Sequence, residues 1–476
     1  MLRTLIAKEV RNNILSFRFL VSFVLLFAVV TVTAFLLTGD YLKKQDEYAR
    51  RQTEIERYMK SYAHFNRIGN ILRPSQPPVP FQALVRGLTS DVNIEEFDDD
   101  PLPVIFPLID LTFIVSVLMS LIALIFSYDA VCGEKEDGTL KLMLANGLSR
   151  SKIILAKIAG GVLTLIWPFL LSLAAGMIII LLHPRVAWAG QDWGALGLIV
   201  VGSVIYVTVF NLIGVLLSSV HRSSSSSIMT SLFVWVLLVL IVPNLSPYVA
   251  SFIKPAPSRI KIARETERIQ DVERDELGSK MAAEKRRELT GRYPVLTENL
   301  SAAETKIRLA QDPAYREATQ AAAAEIDNVW AEANRIQGEK ADAIARDLRR
   351  REEAQIALSV RISMVSPLAN LTYLATDLSS TGVRNLTHFE ALSAIWKRAF
   401  NEDYRSKKIE TLRSKDPSAD VWNTPVDMSD APRFRYTEEG LKGRVRSALP
   451  AFAVLLAAGL VLFAAAFVAF IRYDVR

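Results

Sequence analysis

Runs of about twenty apolar residues alternate along this chain with stretches dense in Lys, Arg, Glu and Asp, a pattern that restricts the fold more than any single motif. A helix rises about 1.5 Å per residue, so about twenty residues cross a hydrocarbon core of roughly 30 Å. Inside that core every backbone N–H and C=O must be satisfied within the segment, which a helix does alone. The runs at 19–37, 104–126, 153–182, 196–217, 228–253 and 449–471 therefore predict an all-α membrane protein with six transmembrane helices. No A-x-A-like cleavage site follows the first run, which reads as an uncleaved anchor and not as a signal peptide. Ahead of it, residues 1–16 place Leu2, Leu5, Ile6 and Val10 on one helical face, the pattern of a short helix lying in the membrane interface.

The charges near the ends of the runs set the orientation. Arg3, Lys8, Arg11 and Arg18, then Lys135, Lys141, Arg150 and Lys152, then Arg222, Arg472 and Arg476 all fall on one side, while the short loop after the third run offers Arg185. Both termini are expected in the cytoplasm. This divides it into an interfacial elbow helix and first span (1–38), an extracytoplasmic insertion (39–103), and the second to fifth spans (104–253) with a cytoplasmic loop at 129–152. A large extracytoplasmic, mainly helical domain (254–446) and the last span with its tail (447–476) complete the order. The first insertion carries Pro74, Pro77, Pro78 and Pro80 and an acidic stretch at 95–100.

Within 254–446, residues 258–291 and 314–360 are rich in Ala, Glu, Arg, Lys and Gln, with breaks at Tyr293-Pro294 and Asp312-Pro313. Ile326, Val329, Ala333, Ile336 and Ala343 follow an approximate 3–4 spacing that Lys340 interrupts, predicting long helices or a helical hairpin, with no sustained heptad. The apolar stretch 356–374 contains Arg361 and Pro367, and is expected to pack on the membrane surface or against the spans. The five serines at 223–227 read as a short flexible turn without chemistry.

Composition removes several function classes. Lys and Arg number 56 against 50 Asp and Glu, interleaved instead of gathered on one face, so nucleic acid is not an expected partner. Cys132 is the single cysteine, and His64, His183, His221 and His388 have no ligand spacing, so no metal site is expected. No nucleophile elbow or dinucleotide fingerprint occurs, and no catalytic or cofactor-binding residue is assigned. Gly133 and Gly138 have the spacing of a phosphate loop, but Thr139 stands where Lys is needed and three carboxylates crowd the segment. Hydrolysis of ATP by this chain alone is not expected.

The loop at 129–152 carries the strongest signal: an acidic entry at Glu134, Glu136 and Asp137, a short amphipathic helix from Thr139, a break at Asn146-Gly147, and a basic re-entry at Arg150, Lys152 and Lys157. On these residues the chain resembles the ABC-2-type transporter permeases, whose first cytoplasmic loop reads E-x-E-x-G-T-L, then a proline-centred turn, S-R and a Lys in the next span. Glu134, Glu136, Gly138, Thr139, Leu140, Ser149, Arg150 and Lys157 match in order, while Gly147 stands where the family usually has Pro. The N-terminal helix with Lys8-Glu9 is similar to the family's elbow, and the layout is type V exporter-like.

The resemblance implies that Glu134, Glu136, Gly138, Thr139, Leu140, Ser149 and Arg150 form a coupling helix seated on a nucleotide-binding subunit. It implies two ABC ATPase subunits that carry the ATP and Mg, and a second permease in a homodimer or related heterodimer. The function it implies is export or extraction of an unidentified substrate; the alternative is a non-transporting device relaying ATPase motion to the outer helices or to an extracytoplasmic partner protein. Within the spans, Asp110 reads equally as an interface residue or part of a transport path. Asn211 reads first as interhelical glue and second as a path residue. Trp188, Trp193 and Tyr248 read as interfacial anchors.

Overall fold

The computed structural model describes residues 1–61, 63–65, 74–87, 109–297, 301–415 and 425–473. The acidic stretch at 95–100 and the first residues of the second predicted span, 104–108, lie outside the described residues. Among those described there is no strand, only an isolated antiparallel bridge between Ala63 and Val426. Among the described residues six helices are long and apolar enough to cross a membrane.

Helix α1 (Leu2–Ile14) leads into α2 (Phe17–Ser61). Next come α3 (111–127), the short α4 (Cys132–Glu136) and α5 (Thr139–Ala145), then α6 (Arg150–Leu181), α7 (Gly190–Val220) and α8 (Ser224–Ile253). Beyond these lie α9 (259–292), α10 (Ala302–Gln311), α11 (Pro313–Ser363), α12 (Pro367–Leu378), α13 (383–415) and α14 (Leu441–Ile471). The helices suited to spanning are α2, α3 with the start of the following loop, α6, α7, α8 and α14.

Two compact units result. Residues 1–243 with 363–476 form one, and residues 244–362 the other. The expected insertion 254–446 is thus shared between them.

In the first unit α7 is the central post. Two-thirds of its most apolar stretch (67%) is buried, against 17% for α8 and α14, so those two helices keep open apolar faces for lipid or another chain. Helices α3, α6, α12 and α14 pack around α7, and α2 and α1 pack on α6. The core they enclose includes Leu26, Val30, Leu111, Ile114, Phe169, Tyr206, Phe210, Trp235, Leu374 and Leu455. The apolar stretch after Arg361 does not span but forms α12, packed against α7 and α14. Ser366 caps it, accepting from the Ala369 N–H, and Pro367 stands at its first position.

Two spans contain a π-helical turn, at 114–119 in α3 and at 236–241 in α8. At each, a carbonyl of the widened turn receives a hydroxyl from a neighbour: Tyr206 donates to the Ser116 oxygen at 2.6 Å, and Ser366 to that of Leu238. The Trp235 indole donates to Ser120 Oγ at 2.8 Å, tying α8 to α3.

Helix α2 continues well past its apolar run, because between Leu37 and Ser61 the sequence loses hydrophobicity but contains no helix breaker stronger than Gly39. Its far end enters a small second core with Met59, Phe65, Phe400, Met428 and Ala431.

The second unit contains the antiparallel pair α9 and α11. Lys285 pairs with Glu325 at 2.9 Å and Lys340 with Glu273 at 2.6 Å, so residues far along one helix meet residues early on the other. The breaks near residues 293 and 312 fall where expected. The inward stripe differs from the expected one. Ala333, Gln337 and Ala341, four residues apart, are buried, while Ile336 and Ala343 face out and Lys340 pairs with Glu273 of α9.

Candidate coupling site

The loop between α3 and α6 is built from two short helices joined at Gly138, whose φ of +71° opens a left-handed corner that residues with a side chain rarely adopt. A second such corner, Gly147 at φ +75°, ends α5. Proline, locked near φ −65°, could not occupy it, so glycine here builds a different turn from the family's proline-centred one.

Most of the motif residues point inward and hold this loop. Glu134 accepts from Lys157 Nζ at 2.8 Å, and Glu9 on α1 lies 3.6 Å from the same nitrogen. The Lys157 side chain is 3% exposed, so its charge is balanced by two carboxylates from two other elements. Close approach of α1 makes this possible: a side chain at Gly160 would meet Glu9 Cβ at 2.6 Å. Glu136 takes two hydrogen bonds from Ser224, 2.9 Å from its N–H and 2.6 Å from its hydroxyl. Arg150 donates to the carbonyls of Ile471 and Tyr473, capping the end of α14. Leu140 is fully buried among Val131, Ile154, Val215 and Phe470. Ser149 is the residue before α6 in extended conformation, and the Thr139 hydroxyl donates to the Glu134 carbonyl at 3.2 Å.

The serine run is not a flexible turn. Ser223 caps α8, Ser224 binds Glu136, and Ser227 donates to the Tyr128 carbonyl at 2.7 Å, so these hydroxyls anchor the loop. Ser218 does the same from α7, accepting from the N–H groups of Val131 at 2.9 Å and Cys132 at 3.1 Å.

What the loop presents outward is a different set: Asp137, Thr139, Lys141, Leu142 and Ala145 are exposed, Leu142 by 65%. Of these, Leu142 and Ala145 were not singled out in the sequence. The signal available was the helical period of α5, which sets Leu142 away from buried Leu140.

The two intramembrane candidates are not brought together with the loop. Asp110 is the N-cap of α3, accepting from the Phe113 N–H at 2.8 Å and the Arg86 N–H at 3.2 Å. Asn211 is buried between α7 and α6, where its amide donates to the Ile158 carbonyl at 3.4 Å. The Trp188 ring is tilted against both Trp193 and Phe81, at 5.6 and 4.8 Å between centroids, and Tyr248 is 74% exposed.

A buried ion cluster at the other end of the bundle escaped the sequence reading. Arg444, 2% exposed at the start of α14, contacts Asp192 Oδ1 at 3.2 Å, the Glu438 carboxylate, and the Glu439 carbonyl at 2.9 Å. Asp192 also caps α7 by accepting from the Ala189 N–H at 2.9 Å.

A family model described as ABC-2 family transporter protein matches residues 3–475. Two relatives are each named Probable ABC transporter permease protein NosY. One, from Stutzerimonas stutzeri, is 34% identical over 131 residues, and the other, from Pseudomonas aeruginosa, 36% over 132. Each alignment covers 28% of this chain and 48% of the relative, so the chain spans about half the length of the curated relatives it matches.

Proposed function

The chain belongs to the ABC-2 family of transporter proteins, and on that premise we propose that it is the membrane-spanning permease of an ATP-driven transporter, coupled through its 134–150 loop to separate ATPase subunits. The observation that carries this reading is the division of the loop into a braced inner side and a bare outer one. Glu134, Glu136, Leu140 and Arg150 fix it to α6, α8 and α14, while Lys141 and Leu142 stand clear. A rigid, exposed, amphipathic projection is what a partner's groove can grip and push.

In this reading two ATPase subunits hold the ATP and Mg, and two permeases, alike or related, form the membrane part. Both termini and the loop face the cytoplasm, and residues 254–446 lie outside, available to a substrate or a partner protein. The cargo is unspecified in chemistry and moves outward or is extracted from the inner membrane.

The test is co-purification of the chain with its ATPase. Leu142→Asp is expected to weaken retention of the ATPase at least tenfold with an unchanged melting temperature, since the side chain is 65% exposed. Glu134→Gln is expected to lower the melting temperature together with coupling. Undiminished ATPase retention and activity in Leu142→Asp would remove the loop from the interface.

A further inference from the structure

We propose that the segment 436–440, which leads into α14, is fastened to α13 by a proton held on Asp377, so that mild acid closes this end of the bundle and neutral pH loosens it. The site is a cavity of about 10 Å3, space for about one water. Asp377 and Ser380 at the end of α12, Arg384 and Asn385 on α13, and Glu439 and Arg444 enclose it.

Hydrogen bonds fasten the segment. Arg384 Nε donates to Glu439 Oε2 at 3.2 Å, His388 Nε2 lies 3.1 Å from the Thr437 carbonyl, and the Tyr436 hydroxyl donates to Asn385 Oδ1, all of them joining it to α13. Arg444 Nε donates to the Glu439 carbonyl at 2.9 Å from the α14 side.

Asp377 stands beside the Arg384–Glu439 pair without a share in it. Among the described residues no hydrogen bond reaches its carboxylate, and the charges that act on it are Arg384, which favours ionisation, and Glu439, which opposes it. The Arg384 guanidinium is already engaged by Glu439, so a second carboxylate in the same half-buried space has no cation of its own. Burial accordingly pushes Asp377 up to about 6. The other charged groups of the packed elements are committed elsewhere. Arg444 of α14 is held by Asp192 of α7 and by Glu438, Asp110 of α3 accepts from the N–H groups of Phe113 and Arg86, and α8 has no charged residue. His388 Nδ1, 4.0 Å from Glu439 Oε1, is a second titratable group, and its charged form would pull in the same direction.

When Asp377 releases its proton to water, two carboxylates compete for one guanidinium. Arg384 is drawn from Glu439 toward Asp377, the two acids repel each other, and the segment loses its charged fastening to α13. Arg444 keeps its hold on Asp192, so the start of α14 stays on α7 while the link to α13 opens. Acid reverses the sequence. Because α13 carries Phe400 of the second core, the seating of that core on the last span follows the pH of the medium around it.

The fastening operates whichever side of the membrane the segment occupies and needs no ATPase, so its test is separate from that of the coupling reading. In the Cys132→Ser background, a spin label on Thr437→Cys reports the freedom of the segment in the full chain in lipid nanodiscs. Its mobile fraction is expected to rise about tenfold between about pH 5 and about pH 7.5, since a carboxyl that titrates near 6 passes from about one-tenth to nearly full ionisation. A label on Lys397→Cys, exposed further along α13, is expected to stay unchanged. Asp377→Asn should keep the Thr437 label restrained throughout, Glu439→Gln should free it throughout, and His388→Gln should retain the transition. A transition that survives Asp377→Asn or vanishes with His388→Gln overturns the proposal. So does a Thr437 label equally restrained at both pH values in the native background, or a Lys397 label that loosens in step with it.

Discussion

Lys157 shows how a single residue sets the behaviour of the loop. A buried ammonium is tolerated only with close opposite charge, and it draws Glu134 and Glu9 to one point. That pairing was half legible. Lys157 and Glu134 belong to one motif, but Glu9 comes from the far end of the sequence, and only the close contact at Gly160 reveals why the elbow helix carries an acid. Asp377 makes the opposite point, being a carboxyl whose surroundings disfavour its charge. Burial, helped by Glu439 and opposed by Arg384, pushes it up to about 6 from the ordinary 3.8. Between those values the folded protein holds a proton that the unfolded chain has released, so stability is full below about pH 4 and falls as pH rises through 6. Asp377→Asn is therefore expected to raise stability by about 2–3 kcal/mol at pH 7.5 and to change nothing near pH 4. Thermal melts of both proteins at the two pH values measure this, and an equal shift at both would refute it.

Among the elements, the spans were the most legible because hydropathy is a local property: each apolar run reports its own solvent whatever it packs against. The same locality explains what was missed. Where α2 leaves its apolar run the chain changes solvent but not conformation, and a hydropathy window sees only the first. The inward face of α11 also depended on its partner, since Lys340 is claimed by Glu273 of α9. The closure between α7 and α14 was illegible for a similar reason: Arg444 and Asp192 are 252 positions apart and each looks ordinary alone. Arg444→Met would leave Asp192 and Glu438 facing each other with no cation between them, and about 3–5 kcal/mol of stability should be lost. Adding Asp192→Asn to it is expected to restore part of that loss, and a double-mutant cycle on the melting curves reads the coupling. Purely additive losses would mean that the ion contact contributes nothing.

At the scale of the whole molecule, the chain commits one unit to the membrane and a second, residues 244–362, to a charged helical hairpin. The proposed topology places the loop at 129–152 and the insertion at 254–446 on opposite sides of the bilayer. Cys132 is buried, so Cys132→Ser gives a background free of reactive thiols. In it, Leu142→Cys should react with an impermeant maleimide only in inside-out vesicles, and Asp347→Cys only in right-side-out ones. Labelling of both from the same face would invert or collapse the topology. The motif announced which loop matters. It did not announce that most of its residues are there to hold the loop still, because inward and outward faces of a short helix separate only once its neighbours are in place.

The length of α2 has a mechanical meaning. At about 1.5 Å per residue its 45 residues extend about 67 Å, roughly twice a hydrocarbon core of about 30 Å. The lower part lies along α6, which carries Lys157, and the upper end is gripped by Phe65, Phe400 and Met428. Such a rod is a lever whose fulcrum is the bilayer: tilting it by about ten degrees would sweep the free half of its length, at about 1.5 Å per residue, through about 6 Å. A tilt imposed where α2 meets α6 would therefore reach the second core along one unbroken helix.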